Sequence, residues 1–303
     1  APTITAPAAS PTYTNGSNLT ISGACENAAT VALAGSATDS VTCADLAYSF
    51  TVTKEADATY NFTVTQTDRA GNASSSTAQQ WIRDTASPSA PTITAPAASP
   101  TYTNGSNLTI SGACENAATV ALAGSATDSI TCADLAYSFT VTKEADATYN
   151  FTVTQTDRAG NASSSTAQQW IRDTASPSAP TITAPAASPT YTNVSNLTIS
   201  GACENAATVA LAGSATDSIT CADLAYSFTV TKEADATYNF TVTQTDRAGN
   251  ASSSTAQQWI RDTASPSAPT ITAPAASPTY TNGSNLTISG ACENAATVAL
   301  AGS

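Results

Sequence analysis

The sequence repeats itself with a period of 89 residues. The motif APTIT begins at Ala1, Ala90, Ala179 and Ala268. A unit of this length is too long for helical or leucine-rich repeats and matches a small β-sandwich of roughly 100 residues. The sequence therefore predicts three complete domains, residues 1–89, 90–178 and 179–267, followed by an incomplete fourth domain, residues 268–303.

The copies differ at very few positions. Val41 becomes isoleucine in the next two copies, and Gly16 becomes Val194 in the third copy. Asn15-Gly16 is a strong turn dipeptide. A β-branched residue is penalised at positive φ, so Val194 indicates that this loop does not need a left-handed backbone. We therefore do not predict a tight hairpin at Asn15-Gly16.

Apolar and polar residues alternate along most of each repeat, which indicates half-buried strands. The predicted inward residues of repeat 1 are Leu19, Ile21, Gly23 and Cys25; Val31 and Leu33; Val41 and Cys43; Tyr48, Phe50 and Val52; Tyr60, Phe62 and Val64; and Trp81. With an edge segment at Thr3–Thr5 these make about seven strands, and no segment has helical spacing. The predicted fold is all-β, a tandem array of seven-stranded immunoglobulin-like Greek-key sandwiches.

Charge and composition narrow the classes of function. The chain has 9 basic and 22 acidic residues and no histidine. Nucleic-acid binding needs clusters of Lys and Arg, so we expect no nucleic-acid partner. No nucleophile has an evident base, and we expect no enzyme activity. No apolar run is long enough to span a bilayer, so direct membrane insertion is not expected.

The cysteines recur in pairs with a constant separation of 18 residues. The pairs are Cys25 and Cys43, Cys114 and Cys132, and Cys203 and Cys221. Both members of a pair are in phase with inward apolar residues, which favours a buried disulfide over a reduced pair. A metal site would need more ligands than two thiols. A disulfide in every repeat predicts an oxidising, extracellular compartment.

The segment after the sixth strand contains a turn and then a proline-rich exit. In the turn Thr67–Asn72, Asp68 is expected to cap and Gly71 to take a positive φ. The alternative is a calcium site using Asp68, Asn72 and Asp84, with Glu55 and Asp57 of the preceding loop as additional candidates. Asp68 and Asp84 lie at opposite ends of the last strand, so one ion would need an aspartate from each of two neighbouring repeats. The prolines that follow Asp84 favour an extended, semi-rigid link and a rod-like array.

Several stretches of the repeat resemble a known family. ISGACENAATVAL, YSFTVT, ATYNFTVTQTDRAGNASS and RDTASPSAP are similar to the bacterial immunoglobulin-like repeats of giant surface adhesins and biofilm-associated proteins. The resemblance implies an extracellular stalk, often stiffened by calcium at domain junctions. The calcium candidates it implies are Asp68 and Asp84, Asp157 and Asp173, and Asp246 and Asp262. The paired cysteines depart from the family pattern. So does Arg69, which could neutralise Asp68 without a metal.

The leading functional hypothesis is a structural stalk or filament on a bacterial surface, which extends or assembles an adhesive fibre. Its expected partners are neighbouring identical repeats or subunits, and a host or biofilm surface ligand. The fourth copy cannot close a sandwich alone, and we expect further chain or another subunit to complete it. The alternative hypothesis is a repeated carbohydrate- or surface-binding module that acts through avidity, with the Thr-rich strand faces (Thr51, Thr53, Thr63 and Thr65) as its surface.

Overall fold

The structure is a computed structural model that describes residues 1–302. Within this range the regular structure is entirely β, and no helix long and apolar enough to cross a membrane is found. The chain divides into two compact units, Ala1–Ala175 and the part that begins at Ser176. The first unit contains repeats 1 and 2, and the second contains repeat 3 and the beginning of the fourth copy.

Repeat 1 contains seven strands in two sheets. The strands are β1 (Thr12–Thr14), β2 (Asn18–Ala24), β3 (Thr30–Gly35), β4 (Asp39–Thr42), β5 (Ala47–Thr53), β6 (Ala58–Thr67) and β7 (Thr77–Arg83). One sheet has the order β1-β7-β6-β3-β4, and the other pairs β2 with β5. Consecutive strands such as β2 and β3 thus lie in different sheets, as expected for a sandwich.

Repeats 2 and 3 have the same arrangement. The strands of repeat 2 are β8 (Thr101–Thr103), β9 (Asn107–Ala113), β10 (Thr119–Gly124), β11 (Asp128–Thr131), β12 (Ala136–Thr142), β13 (Ala147–Thr156) and β14 (Thr166–Arg172). The strands of repeat 3 are β15 (Thr190–Thr192), β16 (Asn196–Ala202), β17 (Thr208–Gly213), β18 (Asp217–Thr220), β19 (Ala225–Thr231), β20 (Ala236–Thr245) and β21 (Thr255–Arg261). The prediction of an all-β, immunoglobulin-like fold is confirmed.

The core of each repeat lies between its two sheets. In repeat 1, every second residue of β5 is buried, and Trp81 of β7 is fully buried against the ring of Tyr60 at a centroid distance of 5.5 Å. Apart from Gly23, the predicted inward residues of β2, β3 and β6 join or pack against the same cluster. Period-two alternation therefore identified the buried faces, because successive side chains of a strand point to opposite sides.

The edge of the sandwich differs from the prediction. Thr3–Thr5 runs beside β2, with the Thr3 amide donating to Ala24 O at 3.0 Å and the Thr5 amide to Ser22 O at 2.9 Å, but it forms no regular strand. The seventh strand is instead β1, which pairs in parallel with the end of β7. A Cβ at Gly23 would lie 1.8 Å from Thr3 O, so this close approach requires glycine.

Each complete repeat contains one disulfide. Bonds join Cys25 to Cys43, Cys114 to Cys132 and Cys203 to Cys221. The second cysteine of each pair is buried in the core. The disulfide thus closes the loop that carries β3 and β4 and fastens it to the end of β2.

The fourth copy is described up to Gly302, so the last residue of the predicted segment 268–303 lies outside the described range. Two strands of this copy pair with each other, β22 (Thr270–Ala273) and β23 (Ser289–Ala291). Its apolar residues are exposed: Ile271, Leu286, Ile288, Val298 and Leu300. Cys292 is exposed and unpaired.

Candidate functional site: the junction of repeats 1 and 2

The turn between β13 and β14 is closed by an aspartate and an asparagine. The Asp157 carboxylate accepts hydrogen bonds from the Asn161 main-chain amide at 2.9 Å and from its side-chain amide at 2.8 Å. Gly160 has a φ of 93°, a value that glycine tolerates without strain. The residues D-x-x-G-N therefore build a rigid turn that needs no further ligand.

The same turn in repeat 1 has the same internal bonds. Asn72 donates to Asp68 from its main chain at 2.9 Å and its side chain at 2.8 Å. The side-chain bond from Asn72 is the main cause that lowers the pKa of Asp68 below its ordinary value, followed by the main-chain bond. The hydrogen bonds that satisfy Asp68 therefore come from the asparagine of the turn, a role that the sequence had offered to Arg69.

Asn161 and Ala159 in the turn of repeat 2 make three hydrogen bonds to repeat 1. The Asn161 side-chain nitrogen donates to Asp84 O at 2.9 Å. The Asn161 side-chain oxygen accepts from the Asn15 side-chain amide at 3.2 Å, and the Asn15 main-chain amide donates to Ala159 O at 3.0 Å. One asparagine thus joins its own turn to both the loop and the exit segment of the preceding repeat.

Burial of this turn depends on the neighbouring repeat. Ala159 and Asn161 are 9% and 8% exposed. The equivalent Ala70 and Asn72, with identical flanking sequence, are exposed. The difference arises from packing at the junction, since the local sequence is the same.

An arginine of the turn holds a residue of the first strand of repeat 1. Arg158 donates to the Tyr13 hydroxyl at 3.0 Å, and its guanidinium lies 5.0 Å from the centre of the Tyr13 ring. A guanidinium over an aromatic face adds a favourable cation–π contact. Tyr13 belongs to β1, the strand that the sequence did not predict.

The exit segment is held at its start by repeat 1. Asp57 pairs with Arg83 at 2.6 Å and accepts from Thr85 through the side chain at 2.7 Å and the main chain at 3.1 Å. These Thr85 bonds are the main cause that lowers the pKa of Asp57, with Arg83 a lesser cause. The Asp84 amide donates to Thr14 O at 3.1 Å.

The end of the exit segment is held by repeat 2. Gln155 is buried, and its side-chain nitrogen donates to Ser89 O at 2.6 Å. Its side-chain oxygen accepts from the Glu115 amide at 2.8 Å. The link 84–89 is therefore fixed to one repeat at Asp84 and Thr85 and to the next at Ser89.

The calcium candidates do not gather into an oxygen cage. No group of three or more acidic, histidine or cysteine residues that could hold a metal occurs within residues 1–302. Two oxygens from opposite sides of the junction, Asp84 O and Asp157 Oδ2, are bridged by the amide hydrogens of Asn161. Asp246 repeats the turn bonds of Asp157, whereas Asp84, Asp173 and Asp262 each accept from the amide two residues later. As arranged, these residues do not fit calcium, which takes six to eight oxygens.

The sequence pattern placed Asp84 and the turn aspartate at the junction, but it did not indicate the residues that make the contacts there. Tyr13, Asn15, Arg158 and Asn161 carry the bonds between the two repeats. Part of this contact was predictable, because the exit segment of one repeat and the turn of the next repeat were expected to lie at the same junction. The pattern did not show that a side-chain amide bridges their oxygens.

Two sheets closed around a disulfide-linked core and repeated in tandem define a multidomain immunoglobulin-like protein. The chain belongs to the bacterial Ig-like domain family, whose model matches residues 23–85, 114–174 and 200–263, together more than half of the chain. No curated protein sequence matched the chain.

Solved structures resemble parts of the chain at low identity. The fibronectin(III)-like modules of CbhA from Clostridium thermocellum are 18% identical, with 57% of this chain and 94% of that chain covered and a TM-score of 0.42. The BSP domain of a biofilm-associated protein is also 18% identical, with 57% and 30% covered and a TM-score of 0.23.

Proposed function

We propose that the chain is a structural stalk segment on a bacterial surface, in which identical sandwiches are held end to end to extend or assemble an adhesive fibre. The main support for this proposal is the junction of repeats 1 and 2, where Asn161 donates to Asp84 O and accepts from Asn15. A flexible string of independent modules would not need a buried asparagine at this position. The stalk has no catalytic role.

The construction of the link supports a mechanical function. The exit segment is tied to repeat 1 by Asp57 and to repeat 2 by Gln155, so little of it is free to rotate. The prolines Pro88 and Pro91 further restrict its backbone. A stalk needs this stiffness, because a compliant link would let an adhesive tip fold back on the surface.

The disulfides support an extracellular site of action. Disulfides persist in oxidising compartments and are rare in the cytosol. Each complete repeat has one. The proposal therefore places the chain outside the cell, with neighbouring repeats or subunits and a host or biofilm surface as its partners.

Small-angle X-ray scattering and electron microscopy of the 303-residue chain test the proposal. We expect an elongated particle whose maximum dimension grows in equal steps as repeats are added. A compact particle, or a scattering profile of freely jointed modules, would overturn the stalk. The test variant is Asn161→Ala, which removes the bridging side chain and is expected to broaden the distribution of particle lengths, and Asn72→Ala is its matched control.

A second candidate is a repeated module that binds a neutral carbohydrate. A groove of about 360 Å³ lies over β6 and β7 of repeat 1, and one of about 380 Å³ lies at the equivalent place in repeat 3. The Gln80 side-chain amide donates to the Asn61 side-chain oxygen across the groove at 2.9 Å. With Ser10 and Thr63, these residues give the groove an uncharged polar lining. A glycan array separates the candidates, since binding lost on Gln80→Ala with an unchanged particle shape would favour the binding module.

A further inference from the structure

We infer that Asn15-Gly16 is a site of spontaneous deamidation, and that this modification weakens the junction between repeats 1 and 2. Asn104-Gly105 is the same dipeptide in repeat 2. The inference rests on the chemistry of the loop and the geometry of the junction. It goes beyond the stalk function and holds whether or not the chain acts as a stalk.

The reaction needs only the chain and water. The main-chain nitrogen of the following residue attacks the side-chain carbonyl carbon of asparagine and forms a new C–N bond. The side-chain amide C–N bond breaks, ammonia leaves, and a cyclic succinimide remains. Water then opens either succinimide carbonyl and gives aspartate or isoaspartate. In net terms one water is consumed, the new carboxyl group gives its proton to the released ammonia to form ammonium, and the protein gains one negative charge.

The nucleophile at Gly16 is unhindered. Glycine has no Cβ to crowd the attacking nitrogen. Gly16 is exposed, and a Cβ built there would meet no atom within 4 Å. Within residues 1–302 no hydrogen bond of the Gly16 amide is found, so none has to break before the attack. The loop 15–17 lies outside regular strands, and the hydrogen bonds that hold it to repeat 2 come from Asn15 and not from Gly16.

The third repeat contains a natural control. Asn193 is followed by Val194 instead of glycine, and the surrounding residues TYTN and SNLT are otherwise the same. The branched Cβ of valine crowds its own main-chain nitrogen and stiffens the residue. Val194 is itself exposed, so solvent access does not distinguish the two sites. We therefore expect Asn193 to resist the reaction that modifies Asn15.

The junction requires Asn15 to be a hydrogen-bond donor. The two side-chain hydrogens of Asn161 are used by Asp84 O and Asp157 Oδ2, so its oxygen faces Asn15. A carboxylate at position 15 would place two acceptors against each other at a contact that is now 3.2 Å. Exchanging the positions of the Asn161 side-chain oxygen and nitrogen would restore a bond to position 15, but it would lose the bonds to Asp84 O and Asp157 Oδ2.

The products of deamidation disturb the junction in two further ways. Either product adds a negative charge beside the Asn161 side chain, which also donates to the carboxylate of Asp157. Isoaspartate also inserts a methylene into the main chain, which displaces the Asn15 amide from Ala159 O. The modification therefore acts on the bonds that join the repeats and leaves the core of each sandwich unchanged.

Peptide mapping of the full chain tests the chemistry. The protein is incubated at mildly alkaline pH, then digested with trypsin, which releases residues 1–54, 84–143 and 173–232 as separate peptides. We expect both the mass gain of deamidation and isoaspartate at Asn15 and at Asn104. In the variant Gly16→Val, we expect neither the mass gain nor isoaspartate at Asn15. Equal modification of Asn15 and Asn193, or persistence at Asn15 in Gly16→Val, would overturn the inference.

Distance measurements test the structural consequence. Spin labels are introduced at Ser49 and Ser138, exposed strand residues of repeats 1 and 2, through an unnatural amino acid that spares the disulfides. Pulsed EPR is expected to show a broader distance distribution for Asn15→Asp than for the unmodified chain, and no change for Gly16→Val. Asn15→Ala removes the donor without the charge and should be intermediate. An unchanged distribution in Asn15→Asp would refute the effect on the junction, while particle shape tests the stalk separately.

Discussion

The side-chain amide of Asn161 donates to the main-chain carbonyl of Asp84 at 2.9 Å, across the junction of repeats 1 and 2. The same amide donates to Asp157 within its own turn at 2.8 Å. One side chain therefore stabilises both its own turn and the contact with repeat 1. Because the amide is 8% exposed, leaving its partners without a donor would be costly.

Replacing Asn161 by alanine is expected to loosen the junction. The variant loses the bonds to Asp84 and Asn15 as well as the bond within the turn. At about 0.5–1.5 kcal/mol for each hydrogen bond, the two inter-repeat bonds contribute roughly 1–3 kcal/mol. Calorimetric unfolding of the full chain measures the loss, and pulsed EPR between repeats 1 and 2 measures the loosening.

Asn72→Ala is the matched control for this variant. It removes the same side chain from the same turn sequence, where the asparagine bonds Asp68 and is exposed. We expect a smaller loss of stability than in Asn161→Ala and no change in the distance between repeats. Equal losses in the two variants would show that the inter-repeat bonds contribute nothing measurable.

Arg158→Ala should weaken the same junction by a smaller amount. Arg158 contacts Tyr13 through a hydrogen bond to the hydroxyl at 3.0 Å and through its guanidinium over the ring. An exposed cation–π pair contributes about 0.5–1 kcal/mol. Arg69→Ala, the equivalent change in repeat 1, serves as the control. The prediction fails if the two substitutions change the unfolding free energy equally.

The sequence predicted the sandwich because alternation marks the faces of long strands. Phe50, Phe62 and Trp81 were placed inside from their spacing, and all three are buried. It did not predict β1, since three residues between Pro11 and the Asn15-Gly16 dipeptide carry no periodicity. The parallel partner of β1, the end of β7, is also distant in sequence.

The junction was harder to predict for a different reason. Asn72 and Asn161 have identical neighbours in sequence, yet one is exposed and the other buried. No local pattern can distinguish them, because the difference comes from the preceding repeat. The absence of a left-handed requirement at Gly16 was predictable from Val194, and the structure gives Gly16 no positive φ.

Reducing the disulfides should destabilise every complete repeat. Each bond closes a loop with a sequence separation of 18, for which loop-closure entropy gives about 3 kcal/mol. For a domain of this size the melting temperature should fall on the order of 10–20 °C. Calorimetry with and without reductant measures the shift. A double variant, Cys25→Ala with Cys43→Ala, should move only the part of the transition that belongs to repeat 1. A reductant effect that persists for that repeat would contradict the assignment.

Chelation tests the calcium hypothesis for the six aspartates. Because the Asn161 amide bridges Asp84 O and Asp157 without a cation, we expect EDTA to leave the melting temperature unchanged. Magnesium added at the same ionic strength controls for general screening. A rise in melting temperature with calcium alone would contradict the expectation. It would also return Asp68, Asp84 and their equivalents to the list of metal ligands.

High pH should destabilise the folded repeats through their buried tyrosines. The hydroxyls of Tyr137 and Tyr226 each donate to a main-chain carbonyl at 2.9 Å, and burial raises the pKa of each to about 12. Burial also raises the pKa of Tyr48, whose hydroxyl donates to Thr3 O. In the unfolded chain a tyrosine titrates near pH 10. Above that pH the unfolded state releases the proton first.

The sign of the effect follows from proton binding. Between about pH 10 and 12 the folded state holds more protons than the unfolded state, so the free energy of unfolding falls as the pH rises. Urea unfolding at pH 9 and pH 11 measures the fall. Substituting phenylalanine at Tyr48, Tyr137 and Tyr226 should cost about 1 kcal/mol per repeat at pH 9, because each hydroxyl bond is lost. The same variant should lose less stability between pH 9 and pH 11 than the parent chain. An equal fall in both proteins would assign the alkaline transition to other groups and remove the buried tyrosines as its cause.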